Sequence, residues 1–214
     1  VELIEKGGYR VVFPENLQEL CCGMTWESKG MPDLADKKSQ ELYQALLLAS
    51  DNGRHPVLID QSPCLYRMRQ WIKGQETQTT LLLYEPAEFI ETYLIDRLDI
   101  TPINACVAIH PTCSTRKLGL TDCLVRLAQR CADKVIVPQQ VGCCAFAGDK
   151  GFTEPELNQW ALRHLKEEVT KAGATEGYSN SRTCEIGLTK HSGIQYMSIV
   201  YLVNKTAQPK RSTD

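Results

Sequence analysis

Long apolar runs are missing from this sequence: none of its 214 residues lies in an uninterrupted apolar stretch longer than five. A membrane-spanning helix needs about twenty, so the chain is not expected to cross a bilayer. A surplus of one charge is missing too, with 24 Lys and Arg against 26 Asp and Glu and a net charge of −2. Such a balance carries no electrostatic footprint for nucleic acid, and none is expected as a partner. Nor does Cys-x-x-Cys occur anywhere, the close pair with which structural zinc sites usually grip one small ion. What remains is 43% apolar and 23% charged, the composition of an ordinary globular protein. The length suits one large domain or two small ones.

Against these absences stand ten cysteines, at Cys21, Cys22, Cys64, Cys106, Cys113, Cys123, Cys131, Cys143, Cys144 and Cys184. Three of them recur at one offset. Cys21 and Cys143, like Cys22 and Cys144, are 122 residues apart, and Cys64 and Cys184 are 120 apart. The surroundings repeat as well. Val11, Val12, Phe13 and Pro14 precede the first pair as Val135, Ile136, Val137 and Pro138 precede the second, and each pair is followed by an aromatic and then Lys-Gly (Trp26, Lys29, Gly30; Phe146, Lys150, Gly151). The spacing predicts two homologous halves, 1–100 and 101–214. Cys113 has no counterpart in the first half, whose matching position would precede Val1. Val1 to Lys6 before Gly7-Gly8 reads as the end of a helix with a glycine stop. The expectation is therefore a piece of a longer protein, its first half truncated at the N-terminus.

Short β-branched runs alternate with amphipathic stretches. Strands are predicted at 9–13, 57–60, 81–84, 106–109, 134–137 and 195–203, and helices at about 38–52, from Pro86, over 121–132 and from Thr153 to Gly173. Thr153 with Glu156 forms a capping-box signature. This order implies an α/β fold of two parallel-sheet halves related by a pseudo-two-fold axis. In such sheets ligands collect beyond the carboxyl ends of the strands, where the repeated cysteines fall.

Thiolates converging from separate loops suit a soft metal centre, an iron–sulfur cluster or zinc. Single cysteines around a vicinal pair span a wider object than two zinc knuckles do. Gly23, Gly142 and Ser114 are small enough to let backbone N–H groups approach sulfur, and Lys29, Lys150, Arg116 and Arg182 are candidates to offset its charge. A strained vicinal disulfide and plain core packing are the bland readings. They suit Cys106, Cys123 and Cys131, the last two flanking Leu127 at four-residue steps on a helix. His110 reads as a structural histidine at a strand end, or as a group that orients Cys113 or replaces a ligand.

The wording Leu-Cys-Cys-Gly at 20–23, Ser-Pro-Cys at 62–64, His-Pro-Thr-Cys-Ser at 110–114, Gly-Cys-Cys-Ala at 142–145 and Ser-Asn-Ser-Arg-Thr-Cys-Glu-Ile-Gly at 179–187 resembles the duplicated cysteine-rich CCG domain. That domain occurs in the heterodisulfide reductase B subunit, in iron–sulfur subunits of glycolate oxidase and anaerobic glycerol-3-phosphate dehydrogenase, and at the C-terminus of FAD-linked D-2-hydroxyacid (D-lactate or D-2-hydroxyglutarate) dehydrogenases. The wording around Cys184 is most similar to the last group. The resemblance implies a 4Fe–4S cluster on Cys113, Cys143, Cys144 and Cys184, with Cys21, Cys22 and Cys64 the remaining three ligands of a second site. It implies no catalytic residue in this piece, FAD in an upstream flavin domain of the same polypeptide, and a quinone or redox protein as electron acceptor. The implied location is cytoplasmic, peripheral to the inner face of the membrane. The heterodisulfide reductase version carries a further cysteine where Arg67 and Gly187 stand here, which disfavours its thiol–disulfide chemistry. That chemistry and a zinc-stabilised interaction module are the alternatives.

Overall fold

The computed structural model of the chain describes residues 1–75 and 81–210. It divides into two compact units, one of Arg10–Glu85 and one of Val1–Tyr9 with Pro86–Asp214. Helix α1 (Glu2–Lys6) belongs to the latter. Its glycine stop is made by both glycines: Gly7 stays at φ −78°, and Gly8 takes the left-handed turn at φ 81°.

In the unit Arg10–Glu85 the expected strand at 9–13 does not form. No neighbouring strand pairs with it, and Val12 and Phe13 are exposed; β propensity without a partner and a buried face does not make a strand. A short helix α2 (Met24–Ser28) leads into α3 (Pro32–Ala49), which begins six residues earlier than expected because Pro32 suits the first turn. Ala35, Ser39, Tyr43 and Leu46 form its buried stripe. Strand β1 (Val57–Leu58) and strand β2 (Leu83–Tyr84) pair in parallel, joined through α4 (Ser62–Lys73).

In the other unit α1 is followed by α5 (Pro86–Phe89), which continues as a π-helical turn over Ile90–Leu94 and a 3-10 turn over Ile95–Arg97. Strand β3 (Leu98–Ile100) follows, and then β4 (Ile103–Ile109), α6 (Cys113–Lys117), α7 (Thr121–Cys131) and β5 (Ala132–Ile136). Next come α8 (Lys150–Thr153), α9 (Pro155–Ala161) and α10 (Leu165–Ala172), then β6 (Glu176–Ser179), α11 (Arg182–Ser192) and β7 (Tyr196–Ser198). Helix α12 (Ile199–Thr206) and strand β8 (Ala207–Pro209), antiparallel to β3, close it. The central sheet has the order β5-β4-β6-β7 with every pair parallel. The chain leaves β4 for β5 on one side and returns to β6 on the other. The strand order therefore reverses between β4 and β6, the position past whose carboxyl ends ligands bind in sheets of this kind.

Two expected elements change character. The long helix from Thr153 breaks at 162–164 into α9 and α10, because the backbone bonds tighten there to three-residue spacing (Arg163 N–H to Trp160 O, Leu165 N–H to Leu162 O). Its capping box does not form: the Thr153 hydroxyl, at the end of α8, donates to Lys150 O at its start, and Glu154 caps α9 without a side-chain bond. The run predicted as a strand over 195–203 stops at Ser198 and becomes helix α12. Ile199, Leu202, Val203 and Thr206 are buried at helical spacing, a period hidden by β-branched composition. Ser198 Oγ accepts the Val200 N–H at 3.4 Å as the N-cap. Replacing Ser198 with alanine is expected to cost about 1 kcal/mol of stability, read from chemical denaturation.

Cys123 and Cys131 are buried on α7 with Leu124, Leu127 and Ala128, as the stripe predicts. Cys106 lies in β4, half-buried against a core of Ala108, Val141, Phe146, Leu165, Leu188 and Tyr196 that also contains Cys144. No helix among the described residues is long and apolar enough to cross a membrane.

Candidate metal centre

The four cysteines 113, 143, 144 and 184 reach one place from three loops, each following a strand of the parallel sheet. Cys113 is the first residue of α6, just after β4, where Thr112 Oγ1 caps the helix by accepting the Thr115 N–H at 3.2 Å. Cys184 is the third residue of α11, just after β6. The vicinal pair lies in the loop after β5. That loop is pinned at both ends. The Glu168 carboxylate accepts the Gln139 and Gln140 N–H groups at 2.6 and 2.9 Å, and the buried Asn158 amide donates to Cys144 O at 2.6 Å.

Past the carboxyl ends of β4 and β6 lies a floor of buried polar side chains that bind one another. Asn180 Nδ2 donates to Thr115 Oγ1 at 2.6 Å, and that hydroxyl is 2.8 Å from Thr112 Oγ1. The Cys113 helix is thereby tied to the turn that leads into the Cys184 helix. Of the basic residues singled out in the sequence, Arg116 serves the site. It donates from Nε to Pro111 O at 3.3 Å and from a terminal nitrogen to Val141 O at 3.4 Å, bridging the Cys113 and vicinal loops. Arg182 pairs with Glu185 instead, and Lys29 and Lys150 are exposed. Gly142 meets nothing where a Cβ would point, so no close approach requires glycine there.

The sulfurs form a chain of contacts. Cys144 and Cys184 Sγ are 2.9 Å apart. Cys143 is hydrogen-bonded to Cys113 and Cys144. Those bonds hold Cys143 far below the ordinary thiol range, helped by the Ala145 N–H at 3.3 Å from its sulfur. They push Cys113 and Cys144 up, Cys144 also through Cys184. Cys143 is thus the exposed sulfur whose ionised form its neighbours favour. Its lowered pKa favours the thiolate, so limiting iodoacetamide at pH 6 is expected to alkylate the metal-free protein first at Cys143. Peptide mass spectrometry showing even labelling of the ten cysteines would contradict this.

As free thiols these groups sit closer than ligands do. No set of three or more His, Cys, Asp or Glu side chains among the described residues is arranged to hold a metal ion as it stands. Around a tetrahedral ion with metal–sulfur bonds of about 2.3 Å, the sulfurs lie about 3.8 Å apart, so Cys144 and Cys184 must part to admit one. The donor chemistry nonetheless fits a soft centre: four sulfurs, with Cys113 and Cys143 exposed.

In the unit Arg10–Glu85, Cys21, Cys22 and Cys64 are arranged in the same local manner. Cys64 is the third residue of α4, as Cys184 is of α11. The Gly23 N–H approaches Cys21 Sγ at 3.4 Å, as the Ala145 N–H approaches Cys143, and both donor residues are left-handed, φ 85° and 52°. The buried Ser39 hydroxyl donates to Cys22 O at 2.8 Å, the part that Asn158 plays for Cys144. Cys22 is hydrogen-bonded to Cys64; that bond, helped by backbone N–H groups and the Arg67 guanidinium, lowers Cys22 to about 7, while the same bond and burial push Cys64 up. Arg67 itself is buried and paired with Glu27, at 3.0 Å, and Asp36. Ser39, Asn158 and the polar floor escaped sequence reasoning. Their only trace was the density of Ser, Thr and Asn beside Cys113 and Cys184.

No family profile matches the chain. Among curated proteins it is similar to the C subunit of anaerobic glycerol-3-phosphate dehydrogenase from Escherichia coli, in strain K12 and in O157:H7, each 22% identical over 176 residues. The match takes in 78% of this chain and 44% of each relative, so the chain spans less than half the length of those proteins. The chain thus shares sequence with one component of an oxidoreductase.

Proposed function

We propose that the chain is an iron–sulfur electron-transfer region of a flavin-linked dehydrogenase, with Cys113, Cys143, Cys144 and Cys184 as ligands of a 4Fe–4S cluster. The observation that carries this reading is the run of contacts joining four thiols from three loops past the carboxyl ends of β4, β5 and β6. When bound, such a cluster carries one electron at a time between a two-electron flavin and an acceptor. The protein's own part is to hold the ligands, shield Cys144 and Cys184 in the core, and direct N–H groups such as that of Ala145 at sulfur. Cys21, Cys22 and Cys64 are proposed as three ligands of a second site, and the halves 1–100 and 101–214 as a duplication. The shared turn and shared helix position of the two cysteine sets support that proposal.

The dehydrogenase of the parent protein is proposed to be of the D-2-hydroxyacid type, with FAD in an upstream flavin domain and a quinone or redox protein as acceptor, at the cytoplasmic side of the membrane. Similarity to one component of a glycerol-3-phosphate dehydrogenase favours a second reading, in which the chain serves a separate flavoprotein. Thiol–disulfide catalysis is poorly supported. A side chain at position 187 would come within 2.5 Å of the Asn158 amide, leaving no room for a further cysteine, and the corresponding Arg67 is ion-paired.

Anaerobic reconstitution with iron and sulfide tests the proposal. The expected product is brown and holds about four iron and four sulfide per chain at the complete site. A colourless protein that takes up zinc alone would overturn it in favour of the interaction module.

A further inference from the structure

Resting on the iron–sulfur reading, we propose that His110 is a hydrogen-bond donor to the sulfur centre, its Nε2–H directed to a sulfide or thiolate there. His110 is the first residue past β4, where the strand order reverses, and it is 1% exposed. Its backbone is fixed on both sides: its N–H donates to Tyr178 O at 2.9 Å, and its carbonyl accepts the Ser179 hydroxyl at 2.7 Å. The backbone that carries the ring therefore cannot shift without breaking the β4 to β6 seam.

Nε2 is buried and has no hydrogen-bond partner. A buried polar atom left unpaired costs about 1–3 kcal/mol, and native proteins leave few such atoms without a purpose or an absent occupant. The polar floor does not supply the partner. Thr112 and Thr115 bond each other, and Asn180 bonds Thr115. His110 instead stands three residues before Cys113, at the carboxyl end of the strand that delivers that sulfur to the site. Burial, reinforced by the Arg116 charge, lowers His110 to about 4, so the ring is neutral at physiological pH and carries one N–H. A neutral N–H donor on sulfur stabilises the more negative, reduced state of a cluster and so raises its potential without adding charge.

The test compares wild type, His110→Phe and His110→Gln after anaerobic reconstitution, by iron and sulfide analysis and by potentiometric titration. Expected are equal iron and sulfide in all three, a potential shifted negative in H110F, and a potential returned toward wild type in H110Q, which keeps a donor. An unchanged potential in H110F, or an equal shift in both variants, would overturn the proposal and leave His110 as a packing residue. If H110F fails to fold or to load, wild type labelled with nitrogen-15 histidine decides the matter. A slowly exchanging Nε2–H whose resonance moves between oxidised and reduced protein supports the donor, whereas the Nδ1–H tautomer overturns it. Failure of wild type to load iron and sulfide would instead count against the iron–sulfur reading itself.

Discussion

Replacing Cys144 with alanine is expected to remove essentially all iron and sulfide that the complete site binds on reconstitution, while replacing Cys123 or Cys131 with alanine leaves the content unchanged. All three are buried cysteines, so burial alone does not separate them. Company does. Cys144 has Cys184 Sγ at 2.9 Å and a hydrogen bond with Cys143. Cys131 has burial as the main cause of its raised pKa, with Thr206 its hydrogen-bond partner, and Cys123 faces the α7 core stripe. Losing either α7 sulfur removes a few contacts, about 1 kcal/mol, whereas losing one of four ligands removes the chelate. Iron and sulfide analysis beside a thermal melt separates the two results. Equal loss of iron in all three variants would show that general unfolding governs loading.

Gly23→Ala is expected to destabilise the unit Arg10–Glu85 by about 3 kcal/mol or more, where Gly142→Ala is neutral. Both glycines adjoin a vicinal pair, and the sequence treats them alike. Gly23 sits at φ 85°, which alone costs a side chain about 1–2 kcal/mol, and its added Cβ would collide with the Ala35 carbonyl of α3. Relief requires moving α3, and Ser39 on the same helix holds Cys22 O. Gly142 has open space. Denaturant titration of the two variants gives the comparison; equal stability would mean that the Gly23 turn relaxes freely.

The parts of the fold legible in the sequence were those with a clean period and a clear partner. Leu124, Leu127 and Ala128 marked α7, and Val107 to Ile109 marked the buried end of β4. Residues 9–13 looked like a strand because propensity is local, but a strand exists only beside another. Residues 199–203 looked like a strand because Ile, Val and Tyr favour one, while the burial of Leu202, Val203 and Thr206 follows the helical period. The break at 162–164 was invisible because no proline or glycine marks it. At the site, repetition exposed six of the seven cysteines, and the resemblance of the wording around Cys113 supplied the seventh. The residues that hold their backbone, Asn158, Ser39 and Glu168, are single polar side chains on other elements, and no local pattern announces a partner that far along the chain.

The reversal of strand order between β4 and β6 has a consequence for how this molecule resists unfolding. Cys113 and Cys184 are 71 residues apart in the chain, and they become neighbours only after α11 has docked beyond β6. An inorganic group held by both fastens a long loop, restricting the unfolded chain far more than the folded one. On the proposed ligation, loading is therefore expected to act as a latch that holds the α6 and α11 ends together against unfolding.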